Sequence, residues 1–373
     1  MKTPPSPPLD GTLVLDCTRM LPGGVLARML LDLGARVIKV EEPAGGDLLR
    51  ATPPLVNGVG AGFAALYRGA QSICLNLKDP VDAARLRALA KHADVLAESF
   101  RPGTMERWGV GYDRLASVNP ALVVCSMSSF GASGPHSGGV GHDLNFAALA
   151  GALASSGETR PLPVPLADVG GGLLAASAVL AALLGRARTG RGAFLDQPLA
   201  LAPLPFLLWP MAEAAAGGGG LWEHLSEGAL PAYRCYRCAD GRSVALCALE
   251  PKFWTGFLDL VGLPELAGAG LDPGPEGRAA AERIQQAMDR EPSAHWLEEA
   301  IERALPLSAV NGLDEAASGA SPLAPFFEAT PAPGGGSLRT PGPLLASLGA
   351  TPPFPAPALG EHTDAVLREF GLS

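Results

Sequence analysis

Charge is scarce in this chain. Asp, Glu, Lys and Arg make up 17% of its 373 residues, and the balance is acidic, at −9. That sign argues against general affinity for DNA, RNA or anionic membranes, while leaving room for a local basic pocket. The first residues, MKTPPSPPLDG, lack the apolar core of a signal peptide. With six cysteines in all, reduced thiols in a cytoplasm are expected. The longest apolar run, 169–185, is slightly short for a membrane span and built of Gly, Ala and Ser, so a tightly packed internal helix is expected there. Cys235 and Cys238 form a lone CxxC with no second pair, only Cys247, which argues against zinc. No G-x-G-x-x-G or Walker A sequence is present, and Ser128 and Ser129 lack a G-x-S-x-G elbow.

Gly (47) and Pro (36) are abundant but dispersed, which excludes collagen and low-complexity chains. The length allows two domains. The first part alternates. Strands are predicted at 11–18, 35–43, 72–78, 94–100 and 122–131, with helices at 22–34, 79–93 and, for the most part, 106–120. Asp79 and Pro80 read as N-cap and first helical residue. Such alternation predicts an α/β fold with a parallel, doubly wound sheet that binds ligands at the carboxyl ends of its strands. A helix over 141–157, a proline-rich loop to 168, a small-residue helix over 170–185 and a strand-to-helix stretch over 192–216 follow.

The GGGG at 217–220 reads as a linker. Beyond it are expected a hairpin over 232–250 turning at Asp240-Gly241, a helix over 251–262, more helix at 275–304, a Pro/Gly-rich stretch at 315–357 with little periodicity, and an amphipathic helix over 360–372. The expected division is a large domain over 1–216, completed by the tail 330–373, and a linker plus small α+β domain over 217–329.

The candidate chemistry is spread along the chain. His142 in GHDLNF sits where a helix starts, so the free N–H groups at Asp143 and beyond favour developing negative charge. A helix cap beside a surface histidine would explain the same pair. Asp168 ends a loop before three glycines. An N-cap role explains it, but the glycines also let a ligand approach the backbone closely. Glu250 precedes a proline at a strand-to-helix junction, where capping or plain exposure is the simple reading. Lys39, Arg101 and Arg107 are cations near strand ends that could hold phosphates, though each alone reads equally as surface charge.

Taken together these segments resemble the family III coenzyme A transferases and racemases. The resemblance runs over most of the chain: 32–50, 68–80, 93–115, 128–135, GHDLNFAALAGAL, 188–196, 239–254 and 360–371. It implies a Rossmann-like large coenzyme A-binding domain plus a smaller α+β domain, in a homodimer of interlocked subunits with the active site between the large domain of one and the small domain of the other. It further implies contacts to coenzyme A from Lys39, Leu75, Leu77, Arg101 and Arg107. Asp168 resembles the aspartate that carries the acyl group in the transferases. GHDLNFAAL, however, has a histidine where transferases usually show tyrosine, and resembles the α-methylacyl-CoA racemase branch. There His142 and Asp168 would face opposite sides of the substrate α-carbon, Glu250 would orient the imidazole, and the Asp143 backbone N–H would face the thioester oxygen. The stretch between His142 and Asp168 is a few residues shorter than usual, which bears on the acyl pocket. No metal or redox cofactor is implied, and coenzyme A enters as part of the substrate.

Overall fold

The computed structural model describes residues 6–154, 159–343, 345, 348 and 354–372. Two compact units emerge. One takes residues up to 150, 161–204 and from 319 onward; the other takes 151–160 and 205–318.

The first unit is built on a six-stranded parallel sheet. Its strands are β1 (Leu13–Cys17), β2 (Arg36–Glu41), β5 (Gln71–Cys74), β6 (Val95–Glu98), β7 (Val123–Ser126) and β8 (Phe194–Asp196), ordered β5-β2-β1-β6-β7-β8. A short hairpin, β3 (Leu55–Val56) and β4 (Val59–Gly60), stands apart from it. β1, β6 and β7 are buried along their whole length, and β2 is buried from its second residue on, as strands covered on both faces must be. On one face Val14, Val37, Val95 and Val123 pack with α1 (Met20–Asp32), α2 (Ala61–Leu66) and α7 (Leu166–Thr189). On the other, Leu15, Ile38, Ile73 and Leu96 pack with α3 (Pro80–Ala90), α5 (Tyr112–Val118) and the C-terminal α14 (Thr363–Glu369). The sheet order reverses between β1 and β6, where loops leaving the carboxyl ends diverge and open a crevice.

Where element bounds differ from expectation, glycine and proline account for much of it. α1 starts at Met20, because Pro22 fits the first turn of a helix. The stretch 106–120 yields only α4 (Thr104–Arg107) and α5, parted by Gly109 in the left-handed region at φ +71°. α6 (Asp143–Leu149) stops well short of 157, with Gly151 at φ +88° just beyond; residues 155–157 of that expected helix lie outside the described residues. α7 overruns its expected limits at both ends. Among the described residues it is the one helix long and apolar enough to cross a membrane. Here its glycine and alanine face packs on α1: a Cβ on Gly172 would sit 2.6 Å from Val25 Cβ and 2.7 Å from the Pro22 carbonyl oxygen. The 315–357 stretch contains an unexpected antiparallel pair, β12 (Phe327–Pro331) with β13 (Ser337–Pro341), turned through Gly334–Gly336.

The second unit centres on an antiparallel sheet ordered β11-β10-β9, of β9 (Tyr233–Arg237), β10 (Ser243–Cys247) and β11 (Leu307–Ala309). The hairpin turns at Asp240-Gly241, with Gly241 at φ +77°. Tyr236, Val244 and Leu246 meet Trp254 and Phe257 of α10 (Pro251–Val261), Ile284 and Met288 of α11 (Pro275–Met288) and Trp296 of α12 (Ser293–Glu302) in one core. The longer stretch of this unit begins at 205, ahead of the glycine run. The reason lies in α8 (Leu208–Ala215) and α9 (Leu221–Ser226), which are tied across the glycines. Glu213 accepts from the Trp222 backbone N–H and from Trp209 Nε1, and the two indole rings lie 5.5 Å apart.

Candidate active site

Among the clefts that the described residues form at the carboxyl edge of the parallel sheet, two share Arg19 and Phe100. The first is lined by residues that follow β1, β2, β5 and β6, among them Thr18, Glu42, Asp47, Leu75, Leu77 and Trp108. Leu75 and Leu77 are buried and form an apolar floor.

Lys39 lines this cleft too, but from within the fold. It is 1% exposed, and its Nζ donates to the Thr18 carbonyl at 2.5 Å while pairing with Asp16 at 3.3 Å and Asp47 at 3.1 Å. Burial opposes its charge, but Asp16, Tyr67 and Asp47 outweigh it and hold the ammonium pKa well above the usual lysine range. Its charge is thus matched inside the fold by two buried carboxylates, which makes Lys39 a structural tie of the cleft.

The exposed cations at this edge are Arg19 and Lys78, both paired with Glu42, at 3.5 and 3.2 Å. Sequence reasoning passed over them. Their signal was position, directly after β1 and β5 on the ligand-binding edge of an open α/β sheet. Arg101 is exposed on the wall of the second cleft. Arg107 is exposed on α4, where Nη2 donates to Thr104 Oγ1 at 2.8 Å.

The second cleft, about 870 Å³ and open to solvent, brings His142 and Asp168 together. His142 is the N-cap residue of α6 and exposed. Its N–H donates to Asn145 Oδ1 at 3.0 Å, and the Asn145 N–H donates back to the His142 carbonyl at 2.9 Å. Gly141 lets the chain pass the Phe146 ring, since a Cβ there would lie 2.6 Å from it. Asp168 is half-buried in the first turn of α7; Pro165, not Asp168, holds the N-cap position.

The link between the two helices is the Asp143 side chain. Its Oδ1 accepts from the backbone N–H groups of Ala167 at 2.6 Å and Asp168 at 3.0 Å, satisfying donors that a helix start leaves orphaned. Asp143 was expected to act through its backbone N–H alone. The structure adds a task for its carboxylate, which ties the start of α6 to the turn that carries Asp168. Glu250 stands in the second unit as the exposed N-cap residue of α10, and its carboxylate does not cap that helix.

Burial, reinforced by the Asp143 charge and partly offset by His142, pushes the Asp168 carboxyl up to about 6. Between its ordinary 3.8 and that value the folded chain keeps a proton that the unfolded chain has lost, so stability falls as pH rises through this window. Asp168→Asn is therefore expected to stabilise the protein above pH ~6 and to be neutral near pH ~4. Discounted for partial exposure, the gain is about 1 kcal/mol, or roughly 2 °C in Tm. Calorimetry at both pH values checks this; an equal Tm at high pH would contradict a raised Asp168.

The parallel sheet and its adjoining clefts define a Rossmann-like α/β enzyme. The chain belongs to CoA-transferase family III, whose model matches residues 9–363. It is 33% identical to the α-methylacyl-CoA racemase of Homo sapiens, over 98% of this chain and 94% of that one. It is 34% identical to the acetyl-CoA:oxalate CoA-transferase of Acetobacter aceti, over 84% and 83%. A solved CaiB/BaiF family protein from Brucella suis superposes with a TM-score of 0.82 at 27% identity, covering 98% of this chain and 100% of that one. The relatives thus include both racemases and transferases.

Proposed function

We propose that this enzyme is an α-methylacyl-CoA racemase or epimerase, which inverts the α-carbon of 2-methylacyl-CoA thioesters by two-base proton transfer. The observation that carries the reading is His142 and Asp168 in one cleft, with the Asp168 carboxyl raised to about 6, close to the working pH of a general base. Similarity to a racemase over nearly the full chain supports it.

Inversion requires a group on each face of the α-carbon. Asp168 as carboxylate takes the proton; the C–H electron pair moves to the thioester oxygen as an enolate; His142 as imidazolium returns a proton to the opposite face. Neutral Asp168 with neutral imidazole is then ready for the reverse direction, and the pair carries zero net charge in both states. Acid–base catalysis of this kind contributes about 10²–10⁴-fold, so stabilisation of the enolate must supply much of the rest. The Asp143 N–H at the start of α6 would serve there, and Glu250 would fix the imidazole's tautomer. Leu75 and Leu77 would floor the nucleotide end of coenzyme A, with Arg19, Lys78 and Arg101 as its cations. The interlocked homodimer and a reducing cytoplasmic compartment belong to the same proposal, as does catalysis without a metal or redox cofactor.

The similarity to an oxalate CoA-transferase favours a second reading, in which the Asp168 carboxylate becomes a covalent acyl carrier in CoA exchange between carboxylic acids. One pair of assays separates the two. Incubation of 2-methylacyl-CoAs of several chain lengths with the enzyme in D₂O is expected to place deuterium at the α-carbon. Failure at every length, with a hydroxylamine-sensitive adduct on Asp168 when donor and acceptor acids are supplied, would replace the racemase with the transferase.

A further inference from the structure

The Glu41 carboxylate is buried at the end of β2 and fully engaged. Oε1 accepts from the Asp47 N–H at 3.0 Å and Arg50 Nε at 2.8 Å; Oε2 accepts from Arg50 Nη2 and Ser72 Oγ, each at 2.6 Å. Burial alone would raise its pKa, but the bonds from Arg50 and Ser72 prevail and hold it below the usual glutamate range. Two of its partners reach onward to the C-terminal segment 354–372. Arg50 Nη1 donates to the Pro357 carbonyl at 2.9 Å, and Ser72 Oγ accepts from the Gly360 N–H at 2.9 Å. The segment is stitched to β5 as well, by His362 N–H to the Ser72 carbonyl at 2.9 Å and Cys74 N–H to Thr363 Oγ1 at 3.0 Å.

The loop Glu42–Asp47 is the other dependant of Glu41, and with it lines the first cleft. Gly46, at φ +71°, is pressed between the two sides. A Cβ there would lie 2.6 Å from Glu41 Oε1 and 2.8 Å from Leu359 Cδ1, so the cleft wall and the C-terminal segment pack directly on each other. Asp47 carries the connection further, accepting from the Met20 N–H at 3.2 Å at the head of α1 and pairing with Lys39.

We propose that Glu41 is a positioning residue through which the C-terminal segment sets the conformation of the Glu42–Asp47 wall of the coenzyme A cleft, so that coenzyme A binding in turn tightens the segment. The inference rests on the reading of the first cleft as the coenzyme A site. Because coupling between two sites is reciprocal, ligand in the cleft must stabilise whatever stabilises its wall.

Amide hydrogen exchange of the full chain with and without coenzyme A, together with the Ser72→Ala variant, tests it. Coenzyme A is expected to slow exchange in peptides covering 42–50 and also in those covering 357–363, by about five-fold or more. Ser72→Ala, which cuts the Glu41–Ser72–Gly360 link but leaves the Arg50–Pro357 link, is expected to weaken coenzyme A binding by about five- to ten-fold with kcat at saturation unchanged, and to reduce the ligand's effect on 357–363 by at least half. Protection confined to 42–50, or a variant that binds as the wild type does, overturns this inference and leaves the coenzyme A site standing. Absence of coenzyme A binding by the wild-type chain overturns both.

Discussion

The racemisation of 2-methylacyl-CoA proposed above is expected to depend on His142. The His142→Ala variant is expected to lose about 10²–10⁴-fold in racemisation, the usual contribution of a positioned acid or base. The more telling expectation concerns the face that remains served. Asp168 can still take the α-proton of one enantiomer and return a solvent deuteron to the same side, so that enantiomer exchanges in D₂O with retention while its mirror image stays silent. Asp168→Asn reverses the pattern, leaving exchange to the other enantiomer through His142. Chiral analysis of the labelled products therefore reads two bases on two faces directly. In the His142→Ala variant, exchange should fall as pH drops below about 6, where the Asp168 carboxylate takes up its proton; loss of the His142 charge moves that limb upward, since His142 lowers the Asp168 pKa. Equal residual exchange of both enantiomers in either variant would show that the lost residue was not a base. Unchanged inversion in either would end the two-base mechanism.

The alternation of apolar runs and amphipathic stretches made the parallel sheet legible, because strands covered on both faces must be apolar throughout. The signals at single residues held where they rested on backbone chemistry: Asp79 does accept from the Val81 N–H at 2.7 Å with Pro80 following it, and Asp240-Gly241 does turn the hairpin. What the sequence concealed was long-range pairing. Lys39 looks like a strand-end cation because its two counter-charges, Asp16 and Asp47, lie on β1 and on a loop that periodicity cannot place. The Asp143 carboxylate caps a turn twenty-five residues on, a contact invisible until α6 and α7 are folded side by side. The β12–β13 pair hid in a stretch whose prolines and glycines erase the period-two pattern that reveals strands. The unit boundary at 205 hid for a similar reason: the glycine run looks like a linker, yet Glu213 and Trp222 close it into a turn.

Lys39 gives the largest expected effect on stability, and the sign of that effect decides its role. If it were a phosphate contact, Lys39→Met would leave Tm in place and weaken coenzyme A binding in a salt-dependent way. The geometry argues otherwise. Methionine matches the side chain in length but strips Asp16 and Asp47, each 2% exposed, of the cation that neutralises them. Removing one partner of a buried ion pair costs about 3–5 kcal/mol, since the remaining charge stays buried without compensation. Here two buried carboxylates are left without their cation, and one of them, Asp47, accepts from the Leu49 and Met20 N–H groups. Lys39→Met is thus expected to lower Tm by about 5 °C or more at neutral pH. Asp16→Asn combined with Lys39→Met removes one of the stranded charges and should recover part of the loss, a rescue that neither a phosphate contact nor simple packing would produce. Thermal melts of the single and double variants from pH ~4 to ~8 measure all of this; a single variant that melts with the wild type across the range would return Lys39 to the surface of the cleft.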